Sequence, residues 1–288
     1  MTTRRTFLTQ AGLLGAGLAF GLSSKNVLAA GKINAKAGLQ LYSLREELPK
    51  DVKGVIAKVA AAGYKQVETY GYSKKNGFWG LSAQEFKALL TKHGLTSPSG
   101  HYGLASEQDQ DDAIEAAKIL GQEYLTMPYI DEKKRKTAAD IKNLVAEVNK
   151  LAEKAKGHGL KMAYHNHDFE FKTVDGVVLY EELLKGTNPA LVHFEMDIYW
   201  VVRSNEDPIA WINKYPGRFT MVHVKDMDKA NPELNTEVGK GSINFKSIFA
   251  KAKTAGIKYY IVEQENFSID PYVSITQSAK YLRTVLFA

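Results

Sequence analysis

Two histidines separated by one residue, His165 and His167, lie near the middle of the chain. His165 is the last residue of segment 160–165, which has the pattern of a short strand, and His167 follows this segment. Alternate side chains of a strand point to the same face, so the two imidazoles lie beside each other at the end of the strand. Imidazoles in such a pair can bind a metal ion or transfer a proton.

Three later strand-like segments also end in residue types that bind metals. Asp197, His223 and Glu263 each lie at or near the end of one of these segments. A mixture of carboxylates and imidazoles suits Mn²⁺, Zn²⁺, Fe²⁺ or Co²⁺ better than Ca²⁺ or Mg²⁺, which prefer oxygen ligands. Four strand ends that each carry such a residue predict an enzyme site with a divalent metal ion.

Strand-like and helix-like segments alternate along the chain from residue 38 onward. Strands are predicted at 38–43, 65–69, 95–101, 123–127, 160–165, 191–197, 219–225 and 258–263. Amphipathic helices are predicted at 51–62, 82–93, 107–120, 138–156, 178–186, 207–214, 244–255 and 271–286. Eight strand–helix pairs predict a (β/α)8 TIM barrel, an α/β fold. A doubly wound sheet is disfavoured because the first strand–helix junction, 41–45, contains no glycine.

Residue types at the helix ends support these boundaries. Suitable N-cap and first-turn residues are Asp51, Ser82, Ser106, Asn244, Pro208 and Pro271. Glycines expected to end a helix in a left-handed conformation are Gly63, Gly94, Gly121, Gly159 and Gly256. The longest irregular segment, 227–243, is expected to fold over the mouth of the barrel as a lid.

The active site of a TIM barrel lies at the carboxyl ends of its strands. Strand alternation points the following side chains inward at that end: Gln40, Tyr42, Glu68 or Tyr70, His101, His165, His167, Asp197, His223, Lys225, Glu263 and Glu265. Glu195 shares the face of Asp197 and is interpreted as a group behind it. Trp200 is interpreted as an aromatic residue of the site or, alternatively, as a residue that packs a helix on the barrel. For Trp211 the packing role is favoured.

The first 30 residues are expected to be an export signal. Arg4 and Arg5 precede an uncharged apolar stretch, 11–22, and small residues near 29–30 suit a cleavage site. This plan resembles a twin-arginine signal, which carries folded proteins, and predicts a periplasmic protein with residues 31–288 as its domain. A retained membrane anchor is the alternative, but the apolar stretch is short for a membrane span.

Composition and charge exclude several partners and chemistries. The 288 residues include no cysteine, so disulfides, thiolate catalysis and Cys-ligated metal centres are excluded. The net charge is +6, and removal of Arg4, Arg5 and Lys25 with the signal leaves +3. The basic run 133–136 lacks interleaved aromatic residues and is expected to be a solvated loop. We therefore expect no nucleic-acid partner and no stable membrane anchor after cleavage.

From about residue 38 to its end, the chain resembles the xylose isomerase-like TIM-barrel superfamily of sugar isomerases, epimerases and dehydratases. The motifs that carry the resemblance are Gly38-Leu39-Gln40-Leu41-Tyr42-Ser43, Gly63-Tyr64-Lys65-Gln66-Val67-Glu68, Tyr164-His165-Asn166-His167, Met196-Asp197, His223-Val224-Lys225-Asp226, Gly239-Lys240-Gly241-Ser242-Ile243-Asn244-Phe245 and Ile261-Val262-Glu263. Their order and spacing cover essentially the whole chain after the predicted signal.

The resemblance implies one divalent metal ion held by residues of strands five to eight. Asp197, His223 and Glu263 correspond to three of the family's ligands. Many relatives have Glu-Asn-His on the fifth strand, where this chain has His-Asn-His. His165 is thereby placed as the fourth ligand, with donation to a sugar hydroxyl as the alternative. His167 is placed as an acid–base or substrate-binding residue.

The chemistry that the resemblance implies is removal of the proton alpha to a carbonyl of a sugar or keto-sugar, with His167 or Glu263 as the base. The outcome can be isomerisation, epimerisation or β-elimination, so the enzyme would be an isomerase, an epimerase or a lyase. Substrate binding is expected from Gln40, Glu68, His101, Lys225 and Trp79. Of these, Trp79 is expected to stack on a sugar ring.

Several alternatives stay open at this point. A non-catalytic periplasmic sugar-binding protein on the same barrel is the main alternative function. An exported protein is expected to act on free or oxidised sugars, keto-sugars or cyclitol-like compounds, because sugar phosphates are cytoplasmic. Metal identity, the reaction outcome and the oligomeric state, a homo-oligomer included, are left open by the sequence.

Overall fold

The computed structural model describes residues 35–288, and the predicted export signal lies outside the described residues. Eight parallel strands close into a barrel: Ala37–Gln40, Gln66–Thr69, Thr96–His101, Tyr124–Met127, Lys161–His165, Val192–Asp197, Phe219–Val224 and Tyr259–Val262. Each strand pairs with its chain neighbours, and the first pairs with the eighth, with Gly38 opposite Ile261. The predicted (β/α)8 TIM barrel is confirmed.

Helices surround this barrel. They are α1 Val52–Ala61, α2 Ala83–Lys92, α3 Glu107–Leu120, α4 Ala138–Gly157, α5 Leu179–Gly186, α6 Ile198–Arg203, α7 Pro208–Lys214, α8 Phe245–Phe249, α9 Ala252–Ala255 and α10 Pro271–Tyr281. The prediction of one helix over 244–255 was wrong, since two short helices stand there, and α6 was not predicted. Across residues 35–288, no helix combines the length and the apolar character needed to cross a lipid bilayer.

The hydrophobic core lies between the outer face of the barrel and the helices. Val59 of α1, Phe86 of α2 and Val148 of α4 are completely buried there. These helices turn one apolar face towards the strands, as the amphipathic pattern predicts. The core therefore holds the strands in place from outside and leaves their carboxyl ends free to carry polar groups.

The helices have the N-cap side chains and the C-terminal glycines that the sequence predicts. The side chains of Asp51, Ser82, Ser106 and Asn244 each accept a backbone N–H from the first helical turn. The five predicted left-handed glycines have φ values from 66° to 100°. At such angles a side chain is strained, which explains why glycine ends these helices.

Two loops at the carboxyl end differ from expectation. The first strand ends at Gln40 rather than at residue 43, because the Gln40 side chain accepts the N–H of Tyr42 at 3.0 Å and starts a 3-10 turn. The segment 227–243 is tied down by Asp226. Its carboxylate accepts hydrogen bonds from the N–H groups of Gly239, Gly241 and Ile243 at 2.9 to 3.1 Å. These hydrogen bonds hold the base of the segment, which was expected to be a lid.

Candidate active site

The four predicted metal ligands meet at the carboxyl end of the barrel. His165, Asp197, His223 and Glu263 are at most 5% exposed. Each offers one ligand atom, and these atoms all lie within 4.8 Å of one another. His165 Nε2 lies 3.1 Å from His223 Nδ1 and 3.5 Å from Asp197 Oδ2. The sequence prediction that these strand ends converge on one point therefore agrees with the geometry.

The two carboxylate oxygens of Asp197 have different surroundings. Its Oδ1 accepts the N–H of Trp200 at 3.1 Å and caps α6. Its Oδ2 is buried and has no hydrogen-bond partner within residues 35–288. A buried carboxylate oxygen without a partner is unfavourable, and a cation among these ligand atoms would satisfy it. This unpartnered oxygen and the mixed imidazole and carboxylate donors fit a divalent metal ion.

Behind His223 lies a carboxylate that holds the imidazole. His223 Nε2 is 2.7 Å from Glu68 Oε2, while its Nδ1 faces Glu263 Oε2 at 3.2 Å. Glu68 is completely buried and also accepts hydrogen bonds from Gln40 Nε2 at 2.7 Å and Ser99 Oγ at 2.5 Å. Metal-binding histidines commonly donate their second nitrogen to a carboxylate in this manner. The geometry therefore gives Gln40 and Glu68 positions behind the candidate metal ligands.

His101 belongs to the same buried network. Its Nε2 lies 2.8 Å from Glu195 and 3.2 Å from Glu68. Burial lowers the pKa of His101, but the nearby carboxylates of Glu68 and Glu195 outweigh burial and raise it. Burial likewise lowers the pKa of His223, and Glu195 and Glu263 together raise it well above its ordinary value. Positive charge on these imidazoles is thus stabilised by the surrounding carboxylates.

Glu195 is a central member of the site, whereas the sequence analysis placed it only behind Asp197. It is completely buried, and its Oε1 lies 3.4 Å from His223 Nε2. Burial raises its pKa, but His223 and His101 hold it far below its ordinary value. Its position two residues before Asp197 on an inward-facing strand was the available signal.

Lys225 is completely buried among acidic side chains. Its Nζ lies 3.2 Å from Glu263 Oε2 and 3.8 Å from Asp197 Oδ2, and it also contacts the carboxylate of Glu265. Burial lowers the pKa of Lys225, and these acids, Glu263 first, raise it above its ordinary value. The ammonium group is therefore a fixed internal cation beside the candidate metal ligands.

A cavity of about 340 Å³ opens above this cluster. Its polar lining comes from His101, His165, His167, Glu263 and Glu265, and Trp200 adds an aromatic face. His167 Nδ1 is buried without a hydrogen-bond partner in the part of the chain that the structure describes. Burial, with help from His165, lowers the pKa of His167 to about 3, so its imidazole is neutral at neutral pH.

Trp79 lies outside this lining and packs on Tyr70, Phe78 and Phe86, with ring centroids 5.1 to 6.0 Å apart. Tyr70 and Trp200 instead bring aromatic rings to the cavity. The sequence signal for Trp200 was its place three residues after Asp197. No residue of 227–243 is among the described residues that line the cavity, so the expected lid does not cover it.

Glu170 supports the turn that carries both histidines of strand five. Its completely buried carboxyl group accepts the hydroxyl of Tyr164 at 2.6 Å and the backbone N–H of His167 at 2.9 Å. Burial raises the pKa of Glu170 to about 7, although these hydrogen bonds partly offset the rise. Sequence reasoning did not find this residue.

Comparison with known proteins identifies the family of this barrel. The model of the xylose isomerase-like TIM barrel family matches residues 56–285, and the chain belongs to that family. Inosose dehydratase from Clostridium tetani is 29% identical over 176 residues, which cover 54% of this chain and 58% of that protein. The chain thus spans a little over half the length of the first such curated relatives.

Solved structures share the fold over most of the chain. A sugar phosphate isomerase/epimerase from Parabacteroides distasonis is 30% identical, with a TM-score of 0.76 over 88% of this chain and 95% of that one. A structure of the IolI protein with a bound zinc atom has a TM-score of 0.68 at 15% identity, covering 85% of this chain and 95% of that one. Both structures therefore share the barrel with this chain over more than four fifths of its length.

Proposed function

We propose that this protein is a divalent-metal-dependent enzyme that removes the proton alpha to a carbonyl of a sugar or keto-sugar. The observation that carries the proposal is the convergence of His165, Asp197, His223 and Glu263 around Asp197 Oδ2, which has no hydrogen-bond partner among residues 35–288. These four residues would hold the ion, which when bound acts as a Lewis acid that polarises a carbonyl group. The outcome would be isomerisation, epimerisation or β-elimination.

His167 is the better candidate for the base. It lines the cavity as a neutral imidazole, and its Nδ1 has no hydrogen-bond partner among residues 35–288. Glu263, the other candidate, already accepts from His223 and Lys225, both at 3.2 Å. Those two contacts and its proposed role as a ligand leave Glu263 less able to take a proton from a substrate. Imidazole side chains are the most common general bases in enzymes.

The comparisons support the chemical class and leave the product open. The names of the relatives cover a dehydratase and an isomerase/epimerase. One proton abstraction can lead to each outcome, since the proton can return to a different face or carbon, or a β-substituent can leave. The family relationship therefore supports a shared first step for this chain and does not choose among the products.

The lining of the cavity favours a substrate without a phosphate group. Glu263 and Glu265 line it, and no lysine or arginine is among its described lining residues. Phosphate recognition depends on cationic side chains or clustered backbone N–H groups. A neutral sugar or keto-sugar is consistent with the export that the sequence predicts.

The test measures metal content and proton exchange separately. Protein purified without chelators should hold about one divalent ion per chain, as a single-metal site implies. Asp197→Asn, which keeps the size of the side chain, should lose most of this metal. Incubation in D₂O with free sugars and 3-keto-sugars should give deuterium incorporation by NMR. Metal binding without exchange of any of these sugars would contradict enzymatic function and favour a sugar-binding protein.

A further inference from the structure

A second cavity lies beside the candidate active site and shares its wall. Its volume, about 340 Å³, equals that of the active-site cavity. Both cavities are lined by Tyr102, Gly103, Pro128 and Tyr129. These residues follow the third and fourth barrel strands, at the same end as the candidate metal ligands. The two cavities are therefore direct neighbours.

The chemistry of the second cavity differs from that of the first. Its apolar lining consists of Leu104, Ala105, Met127, Ile130, Leu144 and Leu151. Its polar residues already bind within the protein. Lys134 and Glu147 pair at 2.7 Å, and Asp131 accepts the N–H of Lys133 at 2.9 Å. Gln110 donates to the carbonyl of Leu104 at 3.3 Å. This leaves a surface suited to an apolar ligand.

Tyr129 stands at the junction of the two cavities. It is 54% exposed, which is high for a large aromatic side chain. Its ring lies 5.9 Å from that of His167 and 5.4 Å from that of Phe169. An exposed aromatic ring beside the proposed base is placed to contact a molecule that extends from one cavity into the other.

We propose that the second cavity is a subsite for an apolar, ring-sized group attached to the sugar. The substrate class then extends from free keto-sugars to their conjugates, such as an aryl or alkyl glycoside that carries a keto group on its sugar ring. A cavity of about 150 Å³ already holds a benzene molecule, so a volume of about 340 Å³ has room for an aromatic group. The assignment of the sugar half rests on the proposed function, whereas the apolar half rests on the second cavity.

Ala105 offers a way to close the subsite without changing the site chemistry. It is an exposed loop residue that lines only the second cavity. Ala105→Trp should fill the cavity, and Ala105→Ser is the matched control that leaves it open. Leu104→Glu is a second variant, which places a charge in the apolar lining. Thermal unfolding of each variant verifies that it is folded.

The probes are phenyl β-D-glucopyranoside, methyl β-D-glucopyranoside and phenol, titrated by calorimetry and by NMR. The parent protein should bind the phenyl glucoside at least about tenfold more tightly than the methyl glucoside, because the ring buries apolar surface. Ala105→Ser should keep this preference, and Ala105→Trp and Leu104→Glu should lose it while binding the methyl glucoside as the parent does. Phenol should bind the parent weakly and not bind Ala105→Trp.

The outcomes separate this proposal from the proposed function. Equal affinity of the parent for both glucosides, or a phenyl preference that persists in both closing variants, overturns the subsite. If neither glucoside binds but phenol binds the parent and not Ala105→Trp, the apolar subsite stands and the sugar assignment is contradicted. If no probe binds the parent, the subsite is overturned.

Discussion

The side-chain amide of Asn166 pairs with the backbone of Asp197 in both directions. Its Oδ1 accepts the N–H of Asp197 at 3.1 Å, and its Nδ2 donates to the carbonyl of Asp197 at 3.3 Å. The amide thereby continues the pairing of the fifth and sixth strands beyond His165, opposite Glu195, where their backbone register ends. Together with the strand pairing, this side chain therefore helps to set the spacing of two proposed metal ligands, His165 and Asp197.

Asn166→Ala should therefore weaken metal binding by about 10- to 100-fold, the range typical of lost supporting contacts. It should also lower the free energy of unfolding by about 1–3 kcal/mol, because the buried backbone groups of Asp197 lose their partner. Chelator-competition titration and urea unfolding in EDTA measure the two effects. Tyr180→Phe removes only the hydroxyl that donates to Asn166 at 3.2 Å and should bind metal nearly as the parent does. Parental metal affinity in Asn166→Ala would contradict the role of the amide.

Glu68→Gln should lower metal affinity by about 10- to 100-fold, since Glu68 holds the Nε2 side of His223. A glutamine offers one acceptor oxygen and cannot accept from Gln40, Ser99 and His223 together. Ser99→Ala, which removes one donor to Glu68, is the milder control. Sugar affinity is measured at saturating metal. Reduced sugar affinity with unchanged metal affinity would instead support the substrate-binding role that the sequence predicts for Glu68.

His167→Ala should keep its metal and lose deuterium exchange at the substrate carbon by about 10²–10⁴-fold, as loss of a general base implies. His167→Gln fills the same space without providing a base of comparable strength and should be equally slow. Metal content and NMR exchange rates are measured on the same preparation. Exchange at the parental rate in both variants would exclude His167 as the base.

The buried carboxyl group of Glu170 should make stability depend on pH. Burial raises its pKa from 4.5 to about 7 in the folded protein, so its contribution is complete below the unfolded value of 4.5 and is lost as pH rises through 7. The full span corresponds to about 3 kcal/mol. Glu170→Gln should remove this dependence, seen as a smaller fall in unfolding free energy between about pH 5 and about pH 8 with EDTA present. An unchanged fall would show that Glu170 does not titrate in this range.

Glu123 provides a contrast of opposite sign. Burial raises the pKa of Glu123, but hydrogen bonds from Lys161, Tyr259 and Lys258 outweigh it and lower the pKa to about 2. The stability that this carboxylate contributes is present above 4.5 and is lost as pH falls towards 2. Glu123→Gln should therefore lose stability at neutral pH and approach the parent under acid conditions, in the same urea titrations.

Export should produce a mature chain that begins near residue 30 or 31. N-terminal sequencing of protein from the native host measures this directly. Replacing Arg4 and Arg5 together by lysine keeps the charge and removes the twin-arginine pair, so the variant should accumulate uncleaved inside the cell. An intact segment 1–30 on the parent protein would contradict the predicted cleavage.

Local patterns were sufficient to predict the barrel and to predict which side chains meet at the carboxyl ends of its strands. Alternation along a strand determines which side chains face inward, so Asp197 and His223 could be placed at the carboxyl end from the sequence. Partners across the barrel could not be predicted, because the stagger between strands decides them. His101 and Glu195 lie on strands three and six, and no local pattern links them.

Other features arise from competition between local signals and tertiary packing. The residues of α6, Ile198–Arg203, are mostly β-branched or aromatic and resemble a continuation of the preceding strand. The cap from Asp197 turns them into a helix and brings Trp200 to the cavity. The second cavity forms where the loops after strands three and four meet α4, an arrangement that depends on long-range contacts.

The hydrogen bonds that Asp226 makes to the 227–243 loop separate the exposed tip of this loop from the candidate active site. Residues 229–234 are exposed, while the carboxylate of Asp226 secures the base of the loop through Gly239, Gly241 and Ile243. Doubling the length of a flexible loop costs only about 0.6 kcal/mol. The tip is consequently a place where related barrels can gain or lose residues, and where a reporter peptide can be inserted, without displacing the candidate catalytic groups.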